Sequence, residues 1–107
     1  MGCNMIRVVI VPPEEPAYIK EIENDLQTVQ EIVGGYIETT KLTQGINIVC
    51  NEEGLMLNLP RNKHLPWLVG TVFLISSDIE GDGEMVGLKS RTAENWKNCI
   101  NCGILTK

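Results

Sequence analysis

A chain of 107 residues, 43% apolar and 21% charged, has the size and mix of one packed domain, which excludes a second domain, a disordered chain and a fibrous one. Its net charge of −5 argues against the clustered Lys and Arg that grip phosphate backbones, so nonspecific nucleic-acid binding is not expected. The longest apolar stretch, Leu65 to Ile75, is broken by Pro66 and Gly70 and falls short of the roughly 20 residues that span a bilayer, so no membrane segment is expected either.

The first element is a strand. Met5 to Val11 is rich in β-branched residues and is closed by Pro12 and Pro13, which cannot donate to a sheet ladder. Arg7 is the only positive charge near this start, and Glu14 and Glu15 soon follow, a pattern unlike a signal peptide. A cytoplasmic location follows as the expectation, with Cys3, Cys50, Cys99 and Cys102 as free thiols.

Between Pro16 and Gly34, Ile19, Ile22, Leu26, Val29 and Val33 recur at spacings of three and four, which predicts one long amphipathic helix. Pro16 suits its first turn, and Gly34 with Gly35 suits its end. Tyr36 to Leu42 alternates as a half-buried strand. Ile46 to Cys50 and Leu55 to Leu59 alternate about Asn51-Glu52-Glu53-Gly54, which predicts a hairpin with that turn at its tip.

After the polar connection Arg61-Asn62-Lys63-His64, the run Leu68 to Ile75 is too apolar to expose either face and reads as a central strand. Asp78 to Glu84 reads as an acidic loop. Ser90 or Thr92 can cap a last helix that runs through Trp96 and Ile100 and ends at Gly103. The expected fold is therefore a single α+β domain over residues 1–107. It has a small antiparallel or mixed sheet of about four to five strands, one long amphipathic helix and a short C-terminal helix.

Chemistry-bearing patterns are sparse. Cys99-Ile100-Asn101-Cys102 is a C-x-x-C, but it lies near a helix C-terminus, where the dipole disfavours the thiolate that redox chemistry needs. A four-cysteine zinc site would need the isolated Cys3 and Cys50, so no metal is expected. Asp78-x-Glu80-x-Asp82-Gly83 imitates the start of a calcium loop, yet the twelfth position is Lys89 where a bidentate Glu is required. His64, the only histidine, has no nucleophile motif beside it, and no Walker loop, G-x-G-x-x-G or nucleophile elbow occurs, so neither a catalytic residue nor a cofactor is assigned.

The candidate ligand-binding residues are polar groups around the turn: Asn51, Glu52 and Glu53, with Arg61 and Asn62 beyond it. Tyr36 and Trp67 can add flat apolar contacts, although core packing is the plainer expectation for both aromatics. A solubilising turn is the plainer reading of Glu52 and Glu53, and a wet hairpin tip does not shift carboxylate pKa values into a catalytic range.

Four stretches carry a family resemblance: Val33-Gly34-Gly35-Tyr36-Ile37-Glu38, Asn51-Glu52-Glu53-Gly54, Leu59-Pro60-Arg61-Asn62 and Val69-Gly70-Thr71. Together they resemble a small uncharacterised family of bacterial and phage proteins, often carried on mobile elements and catalogued as a domain of unknown function. The resemblance covers nearly the whole chain and implies a setting, without an activity. Its motif positions fall on Gly35, Tyr36, Asn51, Glu52, Glu53, Gly54, Asn62 and Gly70, and Cys99 and Cys102 stand outside it.

In that setting the expected function is a non-enzymatic binding protein of a phage or mobile element engaged in counter-defence. Its partner is a small nucleotide-like host molecule, which it sequesters, or a host protein, which it blocks with an acidic surface. The alternatives are a small hydrolase or transferase using Glu52 or Glu53 as a general base near Arg61, and a structural module that acts as a homo-oligomer.

Overall fold

The computed structural model describes residues 5–80 and 84–106. Strand β1 covers Met5–Val11, and all of it except Met5 and Arg7 is buried. Such a continuous apolar run requires cover on both faces of a sheet, and the fold supplies it in three layers. Val9 and Val11 point to one apolar cluster, while Ile6, Val8 and Ile10 point to the other.

The expected long helix is corrected. Tyr18–Glu23 is a strand, β2, antiparallel to β1, and only Leu26–Val33 is helical, as α1. Ile19 and Ile22 would share a stripe on a helix, but in a strand three residues apart means opposite faces. The structure uses the second arrangement: Ile22 joins the cluster under α1, and Ile19 packs against the other. Pro16 precedes a strand instead of opening a helix. The helix starts where the Asp25 carboxylate accepts the Thr28 N–H at 2.7 Å, and it ends as expected at Gly34, left-handed with φ 86°.

Strand β3 (Ile37–Thr43) and strand β4 (Ile46–Asn51) form the true hairpin, closed at Gly45 with φ 87°. The expected hairpin about Asn51–Gly54 is not formed. Residues 52–58 wind into tight turns, with Leu57 N–H donating to Glu53 O at 2.9 Å and Leu59 N–H to Gly54 O at 3.1 Å. The alternation of Leu55, Leu57 and Leu59 gains no strand partner, because β4 is already paired with β3 on one side and β5 on the other.

Strand β5 is Val72–Glu80, central as expected but starting four residues later than the apolar run. It also extends into the segment read as an acidic loop, as far as Glu80, and pairs with a short strand, β6 (Glu84–Val86). Residues 81–83 lie outside the described residues, so Asp82 and Gly83 of the calcium-like pattern do too, as does Cys3. The strand order is β2-β1-β5-β4-β3 with β6 beside β5, a six-stranded sheet in which every pairing is antiparallel.

Helix α2 (Ser90–Asn101) covers the other face, packing chiefly on β1 and β2. Its N-cap is Lys89, without a side-chain cap, in place of the expected Ser90 or Thr92. Asn101 fastens its far end, with Oδ1 accepting the Ala17 N–H at 2.7 Å and Nδ2 donating to Ala17 O at 3.1 Å. Gly103, with φ 77°, follows the helix as expected.

Candidate functional site

Helix α1 crosses its face of the sheet, reaching β2 at one edge and β3 with β4 at the other. On the opposite face α2 covers the β1 and β2 side, and the β3–β4 end is roofed instead by the connection between β4 and β5, through Leu65 and Leu68. That roof is incomplete. A concavity of about 310 Å3 remains, lined by Glu38 and Cys50 of the sheet, by residues 51–56, and by Trp67, Leu68 and Val69.

Asn51 and Gly54 shape one wall. The Asn51 Oδ1 accepts the Glu53 N–H at 2.7 Å, a side-chain turn that diverts the chain out of β4. Its Nδ2 donates to Val33 O at 3.1 Å, closing the C-terminal end of α1. Gly54 sits so close to Val69 that a Cβ there would lie 2.6 Å from its Cγ2, which holds the turn against the opposite wall.

Asn62 anchors the roof to the end of β1. It is fully buried, and its Nδ2 donates to Val11 O and Gly70 O at 3.0 Å each. Its Oδ1 accepts the N–H groups of His64 at 2.9 Å and Leu65 at 3.2 Å. The amide is thus saturated by the protein's own backbone. His64 is buried as well, and its Nε2 lies 2.7 Å from Glu15 O, a carbonyl that can only accept, so this nitrogen carries the proton.

Of the expected site residues, the structure brings Asn51, Glu52 and Glu53 to the concavity. Asn62 is outside the lining, committed to backbone groups, and the Arg61 guanidinium is turned to Pro66 O. Tyr36 adjoins through its backbone, where its carbonyl accepts the Glu52 N–H at 2.8 Å, while its side chain stands in solvent. Core packing, the plainer expectation for both aromatics, is corrected: Tyr36 is 63% and Trp67 54% exposed.

The sequence did not mark Glu38, Cys50, Leu55 and Met56 as site residues. Glu38 pairs across from Cys50, so it shares the face of the concavity, a register that emerges only once β3 and β4 are aligned. Burial pushes the Cys50 thiol above its ordinary value, and the Glu38 carboxylate adds to the effect. Its S–H donates to Glu38 O. A neutral, engaged thiol is a wall group and a poor nucleophile. Leu55 and Met56 are 80% and 82% exposed at the mouth.

Elsewhere, Cys99 and Cys102 sit in the last turn and at the C-cap of α2, both free. Among the described residues no three His, Cys, Asp or Glu side chains gather as a metal cluster, and no helix is long and apolar enough to cross a membrane.

Fold and site together define a small α+β domain that presents an acidic, apolar-mouthed concavity at one end of a six-stranded antiparallel sheet. The chain belongs to the DUF3846 family, a domain of unknown function, whose profile matches residues 6–100. No curated protein and no solved structure matches it.

Proposed function

We propose that this chain is a non-enzymatic binding protein of a phage or other mobile element, and that its counter-defence task is to block a host protein with the surface around the concavity. The observation that carries this reading is the lining itself: three carboxylates, from Glu38, Glu52 and Glu53, beside the exposed apolar groups of Leu55, Met56 and Trp67. Carboxylates in solvent steer a cationic partner, and exposed Trp and Met supply desolvated contact once it arrives.

The groups that could instead serve chemistry are engaged elsewhere. The His64 ring is held by a backbone carbonyl, the Cys50 thiol is neutral, and the Arg61 guanidinium faces Pro66. Sequestration of a nucleotide-like molecule fits the same place less well. Its phosphates would meet carboxylates, and among the described residues no cationic side chain lines the concavity.

The test is retention of one host factor by the tagged chain, at low salt and not at high salt, alongside a melting-temperature screen across nucleotides. A ligand that binds only the folded state raises the melting temperature. A flat nucleotide screen with one salt-sensitive partner is the expected outcome. Stabilisation by a nucleotide, or multiple-turnover conversion of a substrate by the purified chain, would overturn the reading.

A further inference from the structure

We infer that the concavity receives a short segment of a partner protein in which a lysine or arginine flanks an apolar side chain. The apolar group enters between Trp67 and the 54–56 turn, and the cation faces Glu38, Glu52 and Glu53. This rests on the reading of the chain as a protein-binding module and adds the chemistry of what it grips.

Charge complementarity selects the cation. The ion pairs formed among the described residues join Arg7 to Glu21 and Lys97 to Glu94, so none of the three carboxylates is neutralised by a salt bridge there. Two cations close in sequence to the lining are unsuited. Arg61 is committed to Pro66 O, and strand alternation sends Lys41 to the opposite face of β3 from Glu38. The field at the mouth is therefore uncompensated negative, on a chain whose net charge is already −5.

Shape and polarity select the rest of the segment. A space of about 310 Å3 sits at the lower end of what encloses a small molecule, and suits one or two inserted side chains. Leu55, Met56 and Trp67 stand mostly in solvent around it, an arrangement that marks interaction surfaces more often than random apolar exposure does. An indole face beside carboxylates also favours a guanidinium, which stacks on the ring while its N–H groups reach the acids. A phosphate-bearing or acidic ligand meets the wrong sign at all three carboxylates.

The experiment is a selection of displayed 12-residue random peptides on the purified full chain at low salt, with W67S as counter-selection. The recovered peptides should carry Lys or Arg beside an aliphatic or aromatic residue. A synthetic copy should bind less tightly as salt rises. It should also lose about tenfold or more in affinity on E52Q/E53Q and again on W67S. Both sets of changes lie on exposed or half-exposed side chains, and an unchanged melting temperature verifies that the variants fold. Amide chemical-shift changes should centre on residues 51–56 and 67–69.

Recovery of no peptides, recovery of acidic or uncharged ones, or equal binding by W67S would overturn the inference. A concentration-dependent dimer that W67S abolishes would overturn it too, by making a second copy the occupant. The parent reading fails separately. A host protein retained equally by wild type, E52Q/E53Q and W67S sinks the groove segment while leaving a binding protein, whereas a wild-type chain that retains no host protein sinks the binding reading itself.

Discussion

Asn62 shows how much of this structure hangs on single amides. Four backbone groups from three parts of the chain converge on it, and each finds its partner there. Asn62→Ala leaves two carbonyls and two N–H groups without that partner. At about 1–3 kcal/mol for each buried group that stays unpaired, the loss should total about 3 kcal/mol or more. Urea denaturation measures it, and a loss below about 1 kcal/mol would show that water replaces the amide. Asp25 makes the opposite kind of contribution, exposed and pH-dependent. The Thr28 backbone N–H bond holds its carboxyl below the ordinary value of 3.8. A depressed carboxylate stabilises the fold above its unfolded value, and that stabilisation is lost as pH falls through the folded one. Melting curves should show wild type ahead of Asp25→Ala at neutral pH, with the difference closing below about pH 4.

At the scale of elements, the strands with apolar residues on both faces were legible and the amphipathic ones were not. Val8 to Val11 and Val72 to Ile75 are short apolar runs, rich in β-branched residues and flanked by Pro12 or Gly70, which favours interior strands buried on both faces. Ile19 and Ile22 satisfy a helix and a strand equally well. The choice between them belongs to β1, whose free edge takes residues 18–23 as a partner, and a single sequence contains no sign of that demand. Leu55 and Leu57 misled in the same way: strand-like spacing needs a neighbour, and β4 had none left to offer. Glu52 and Glu53 were legible as turn carboxylates that face water, and both line the concavity. Asn51 and Asn62 were visible only as polar groups, since a sequence shows donors and not what they bond to. One close approach to β1 is announced by no pattern. A Cβ on Gly87 would lie 2.6 Å from the Arg7 backbone nitrogen, just where the Leu88 N–H reaches Arg7 O at 2.7 Å. Gly87→Ala should therefore cost about 1–3 kcal/mol, as overpacking against backbone does, and calorimetry checks it.

For the molecule as a whole, the four motif stretches interlock. Asn51 closes the helix at Val33, Asn62 holds Gly70, and Gly54 lies against Val69. They frame the concavity without lining it throughout, so the rigidity of the frame and the chemistry of the apolar mouth are separable properties. The sheet centre joins distant parts of the sequence in a comparable way: Val9 pairs with Leu74 and Ile10 with Phe73. A topology dominated by such pairings should refold in milliseconds to seconds, slower than a helical bundle of this size, as stopped-flow fluorescence of Trp67 and Trp96 would report. A microsecond phase carrying the full amplitude would contradict it.

That pairing also sets a timetable during translation. Strand β1 leaves the ribosome with Val8, Val9 and Ile10 bare, and β2 can shelter only one of its edges. Its inner neighbour is β5, so the nascent chain carries a sticky strand until the stretch from Val72 onward has been made and has emerged to bury it.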